Sequence, residues 1–179
     1  MMDRAINQII EQINSEDFVA KEEAILQIAM LLEKNSLWKT KLDFYNSILV
    51  PELTELSLNE SQKTEIIKSL SKLLFSEKLT SSLIWAVGKA DCCLSIDSLL
   101  ALFCKSELVL DEECCWQLLT SIDNFLSLST AVPLSKYVVI LLAKYDFSTF
   151  LRKADFSKST KLQKLKKTIQ KTHGFDKEA

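Results

Sequence analysis

The sequence predicts an all-α protein made of short helices joined by short loops. Only 2 glycines and 2 prolines occur in 179 residues, against roughly 7% and 5% in average proteins. The residues that tight hairpins and phosphate-cradling loops need are therefore nearly missing, which argues against β-sandwiches, dinucleotide-binding folds and P-loops. Apolar residues fall at helical spacing along almost the whole chain, and no alternating stretch bounded by turn residues occurs. The length suits one domain with a sizeable core.

About nine helices are expected from that periodicity. The first covers 2–14 on the stripe Ile6, Ile9, Ile10, Ile13, and the second 17–34 on Ala20, Ala24, Ile28, Leu31, with Asp17 as an acidic cap. A third segment, 36–58, places Trp38, Leu42, Tyr45 and Leu49 on one side, with Trp38 read as core. Pro51 breaks it at Val50 and starts a short new helix. Asn59 and Ser61 are cap candidates for a helix through Phe75 on Ile66, Leu70, Leu73 and Leu74, and Thr80 opens another to about Ala90. Helices over 95–105, 111–127 and 133–145 follow, with Asp111 capping one and Pro133 in the first turn of the next. After a short piece at 148–154, Ser157 caps a last helix to Thr172, in which Leu162, Leu165 and Ile169 oppose five lysines. Residues 1–156 are read as the main domain, 157–173 as a basic helix capping it, and 174–179 as a tail without fixed structure. Short loops make consecutive helices antiparallel neighbours.

Charge is unevenly divided. Residues 152–179 carry nine basic and three acidic side chains, and residues 1–151 thirteen and twenty-one. The body is thus −8 and the tail +6, a sign that repels nucleic acid from the body and suits a basic protein partner. Five cysteines, at 92, 93, 104, 114 and 115, form no Cys-x-x-Cys pair, and adjacent residues are poorly placed for one tetrahedral metal. Reduced, mostly buried thiols are expected, with no metal and no cofactor. The single histidine, His173, is read as favourable charge at a helix C-terminus. The longest apolar run, Tyr137 to Ala143, is about seven residues where a membrane span needs about 20. The first residues lack the order of a secretory signal, so a cytoplasmic protein without membrane contact is expected.

One stretch carries an internal pattern: Leu83-Ile-Trp-Ala-Val-Gly-Lys-Ala-Asp91, then Ser95 to Phe103, then Asp111 to Ile122. It resembles HEAT repeats in Ala86-Val87-Gly88, Asp91, Ser95-Ile96, Leu99-Leu100 and Asp111, with a weaker echo at Asp17 to Leu31. It departs from them at Asp97 and Glu112, where prolines are usual, and at Cys114 and Cys115, where valine and arginine are. The resemblance implies a short solenoid of stacked antiparallel hairpins, the alternative being an irregular helical bundle. Leu83, Ala86, Asp91 and Cys92 are also similar to a helix-joining turn in HEAT-like immunity proteins of bacterial polymorphic-toxin systems. That likeness implies stoichiometric inhibition, with an acidic patch covering the active site of a basic toxin.

Candidate partner-binding residues follow from charge and aromaticity. Asp111, Glu112 and Glu113 form the densest acidic cluster, and Asp91 and Asp97 are expected beside it on turns along one edge. Trp85 and Trp116 are candidate interface anchors, since tryptophan is enriched at binding hot spots. No convergent catalytic set is expected from a chain with one histidine. The expected function is non-enzymatic protein binding, with a generic adaptor or a small helical hydrolase as alternatives; helical-repeat DNA glycosylases share the architecture but need a basic groove.

Overall fold

The computed structural model describes residues 3–105, 109–128 and 135–177. Among these the chain is all-helical, with eleven helices: α1 (Arg4–Ile13), α2 (Phe18–Lys34), α3 (Leu42–Ile48), α4 (Pro51–Thr54), α5 (Glu60–Leu74), α6 (Ser81–Val87), α7 (Cys93–Lys105), α8 (Glu112–Leu128), α9 (Ser135–Tyr145), α10 (Phe147–Lys153) and α11 (Thr160–His173). No described helix is long and apolar enough to cross a membrane.

Local chemistry sets most boundaries. The Asp17 carboxylate accepts from the backbone N–H groups of Val19 and Ala20, and Asn59 forms a reciprocal capping box with Gln62. The Thr80 hydroxyl caps α6, and the Asp111 carboxylate accepts from the Cys114 N–H at 2.7 Å. Pro51 occupies the first turn of α4. The start of the last helix differs from expectation: Ser159, not Ser157, caps α11, its hydroxyl accepting from the Leu162 N–H at 3.2 Å, because the Ser159 N–H closes a turn on the Phe156 carbonyl at 2.9 Å that keeps Ser157 out of the helix. The segment after Ser36 also differs. It turns rather than winding into helix, α3 starts only at Leu42, and Leu42 is exposed while Tyr45 and Leu49 are buried. Pro133 lies outside the described residues.

The helices pack as two files. In one, α2 packs on α6, α6 on α8 and α8 on α11; in the other, α5 packs on α7 and α7 on α9; α5 with α6 and α7 with α8 join the files. In the first file, polar pairs show that α2 and α6 run the same way, as do α8 and α11. Ser82 near the start of α6 donates to Glu22 near the start of α2 (2.6 Å), and Lys89 beyond the end of α6 pairs with Glu33 at the end of α2 (3.1 Å). Ser159 donates to Glu112 (2.7 Å) where α11 and α8 begin, and His173 meets Asp123 (2.7 Å) farther along both. The wholly buried Ile28, Ile66, Leu70, Leu83, Leu99, Leu118 and Ile122 lie between the files.

Close packing explains Gly88. A Cβ there would fall 2.7 Å from Ser121 Oγ, so glycine lets the end of α6 approach α8. At the C-terminus, Gly174 takes the left-handed conformation that ends α11, and the Phe175 ring returns to Phe147 at 5.6 Å. The expected loose tail is thus built into the core edge as far as Phe175, because an aromatic side chain follows the terminating glycine.

Candidate functional site

The three tryptophans of the chain converge on one open cleft of about 410 Å³ along α2, α6 and α8. Trp85 comes from α6 and Trp116 from the second turn of α8; Trp38 comes from the turn before α3. All three are half-buried, so each has one side in the stack and one toward solvent. Trp38 is fixed by its indole N–H, which donates to the Lys89 carbonyl (3.1 Å), and by an edge contact with Phe125 (5.0 Å between centroids). A ring held at both ends loses little freedom when a ligand covers it.

Polar groups frame the aromatic wall. Lys89 reaches over the Trp85 ring (5.3 Å) while pairing with Glu33 (3.1 Å), and Lys161 lies over the Trp116 ring (4.1 Å) while pairing with Glu113 (3.2 Å). Gln117, Ser121 and Asn124 add amide and hydroxyl groups, and the Thr120 hydroxyl on the same wall is buried without a hydrogen-bond partner among the described residues. An aromatic surface with hydrogen-bonding groups in a cleft is the chemistry of a binding hot spot.

The expected acidic edge takes a different form. Asp91 is not a surface contact: it is buried, its Oδ1 lies 2.7 Å from Lys63 Nζ, and its Oδ2 accepts from the Leu37 N–H at 2.7 Å. An uncompensated carboxylate is too costly to bury, and this one is compensated twice. Asp97 accepts from the Tyr145 hydroxyl (2.7 Å) and pairs with Lys144 (3.1 Å). Asp111 is occupied as a cap, Glu112 accepts from Ser159, and Glu113 holds Lys161. Asp91 is thus withdrawn from the edge, whereas Asp111, Glu112 and Glu113 stay exposed, and Trp85 and Trp116 share a surface. Trp38, read from the sequence as core, is the wall that reasoning missed; its position just beyond the α2 cap residue Asn35, ahead of any helix, is the signal that it faces a loop.

Burial raises the pKa of all five thiols, Cys104 and Cys114 to about 12, with the Asp111 carboxylate reinforcing the shift at Cys114. Thiols so placed stay protonated and weakly nucleophilic at neutral pH. Among the described residues no three His, Cys, Asp or Glu side chains are grouped to hold a metal ion. Comparison of the chain with known proteins finds no matching family model, no matching curated sequence and no matching solved structure.

Proposed function

We propose that this chain is a non-enzymatic, HEAT-like protein-binding module, and most concretely the immunity partner of a bacterial toxin, which it neutralises by covering the toxin's active site. The observation that carries the binding role is the convergence of Trp38, Trp85 and Trp116 on one cleft. Two files of packed helices, with α2 and α6 running the same way and α8 and α11 likewise, support the HEAT-like reading, since stacked hairpins give that packing. The acidic body supports a basic partner, whose encounter it accelerates. The partner's anchor is a side chain large enough to cover an indole face, seated between Trp85 and Trp116.

The test is to isolate the complex from the source cells, identify the partner, and measure its binding to the wild type and to Trp85→Ala and Trp116→Ala. The expected result is a basic partner whose toxic activity is suppressed at a one-to-one ratio. Each substitution should speed dissociation about 30-fold or more, the hot-spot range. A partner that binds both variants unchanged overturns the cleft, and a chain that turns over a small substrate alone overturns the class.

A further inference from the structure

Unused acceptors sit beside the indoles of the tryptophan cleft. Glu33 lines it with a side chain only 15% exposed; Lys89 takes Oε1, and no other hydrogen bond reaches this carboxylate among the described residues. Gln117 donates through Nε2 to Ser121 Oγ (3.2 Å), which leaves its Oε1 without a partner there, and the exposed Asn124 amide has none either. Lys89, the one ammonium lining the cleft among the described residues, is engaged by Glu33 at 3.1 Å and by the Trp85 ring at 5.3 Å. The complement of this wall is a flat group with many donors and no acceptor, and the guanidinium of arginine is such a group.

The rings already hold cations of the chain itself. Trp85 carries the Lys89 ammonium, which Glu33 holds, and Trp116 carries the Lys161 ammonium (4.1 Å), which Glu113 holds. The unit of indole, cation and carboxylate thus occurs twice, built from different helices. Neither Lys161 nor Glu113 lines the cleft, so the part of Trp116 that does is not covered by its own cation. Lys89 is the weaker occupant of its place. An ammonium is compact and strongly hydrated, whereas a guanidinium is planar, less hydrated, stacks on an indole and grips both oxygens of a carboxylate. With its side chain 25% exposed, Lys89 has a way out to solvent, and the exchange returns the better hydrated cation to water.

We propose that the tryptophan cleft takes an arginine side chain of the partner, whose guanidinium displaces the Lys89 ammonium from Glu33 and stacks on Trp85. The inference rests on the cleft being the partner-binding surface, and it names the anchor. The excess of acidic over basic side chains in residues 1–151, twenty-one against thirteen, draws a cationic group toward it.

The test is an NMR titration of the full chain, read at the indole N–H signals, since all three tryptophans line the cleft. Acetyl-arginine methylamide is the probe, compared with its lysine, citrulline and tyrosine counterparts. It should move the Trp85 and Trp116 signals with half-saturation at about 1–10 mM, the weak range of a lone side chain. The citrulline compound, of the same shape without the charge, should bind about tenfold more weakly, and the lysine and tyrosine compounds should also fall behind. Glu33→Gln should abolish the preference for arginine over citrulline. Lys89→Met should instead tighten arginine binding about twofold to fivefold, the worth of the cation–ring contact that arginine no longer has to displace. Both variants break the same ion pair, so a merely structural role would move binding in one direction. Indole signals that ignore the arginine compound or answer equally to any of the other three overturn the proposal, as does a Lys89→Met chain, folded by its circular dichroism, that binds arginine no better. The cleft as partner surface survives those outcomes when Trp85→Ala and Trp116→Ala still weaken the isolated partner, and fails, taking the arginine anchor with it, when they do not.

Discussion

The Asp91 carboxylate and the Lys63 ammonium lie 2.7 Å apart with both side chains about 96% buried, and the same carboxylate accepts from the Leu37 backbone. One acidic residue after α6 therefore ties α5 to the turn that presents Trp38. Breaking a buried pair from one side removes much of the compensation of the other charge, here leaving Lys63 only Glu60 at 2.6 Å and the Asn35 carbonyl at 3.2 Å. Asp91→Ala should cost about 3 kcal/mol in urea unfolding, and the double variant Lys63→Met, Asp91→Leu should cost less than the two single changes together. Because Leu37 loses its acceptor, Asp91→Ala should also weaken binding at the cleft without touching the partner.

The same pair makes stability depend on alkaline pH. Burial alone would lower the Lys63 pKa, but hydrogen bonds and charge from Asp91 and Glu60 raise it above the ordinary 10.5. A raised lysine contributes its full stabilisation below the unfolded value and loses it as pH climbs through the folded value. Unfolding free energy should therefore fall above about pH 10.5, and Lys63→Met should remove that part of the slope.

Gly88→Ala should destabilise by about 1–3 kcal/mol through overpacking, since its Cβ would sit 2.7 Å from Ser121 Oγ and 2.9 Å from Ser121 Cβ. The backbone φ of −68° suits alanine, so the penalty is contact rather than conformation. Ser121→Gly in the same chain should recover part of the loss. Strict additivity in the double-mutant cycle would show that the clash is not the cause.

The five thiols should react slowly with a disulfide reagent in the native protein at neutral pH and completely after denaturation. Burial and the raised pKa of about 12 at Cys104 and Cys114 act together there. Rapid labelling of more than the half-buried Cys93 and Cys115 would contradict the packing of α7 and α8.

Ile169→Ala should cost about 2–5 kcal/mol, the usual range for a buried aliphatic side chain, because Ile169 is wholly buried in α11. Truncation before residue 157 should lower stability at least as much. It removes Ser159, Lys161 and His173, which hold Glu112, Glu113 and Asp123 of α8. An unchanged melting temperature would detach the last helix from the stack.

Helix positions were legible from the sequence where a single side chain decides them. Asp17, Asn59, Thr80 and Asp111 each cap within three residues of themselves, and Pro51 acts on its own turn. The choice between Ser157 and Ser159 as cap was not legible, because it rests on the turn that the Ser159 N–H closes on the Phe156 carbonyl. Of the expected acidic edge, Asp91 was misread for a larger reason. Whether a carboxylate faces solvent depends on the register between helices 28 to 50 residues apart in sequence, as for Asp91 with Lys63 and Asp123 with His173. Composition carries no trace of that register. Trp85 and Trp116 were legible as interface candidates from residue type alone, but their meeting with Trp38 exists only once α2, α6 and α8 lie side by side.

The file arrangement also settles where the molecule breathes. Helices at the ends have neighbours on one side only: α11 packs chiefly on α8, and α1 on α2 and α4. Amide hydrogen exchange should therefore run fastest at the two ends and slowest in α6 and the middle of α8, following how many packed neighbours must part for an opening. Because the tryptophan cleft lies along those inner helices, it sits in the part of the chain that opens least. A partner would meet an already formed surface, and its arrival would slow exchange at the ends far less than beneath the three indoles.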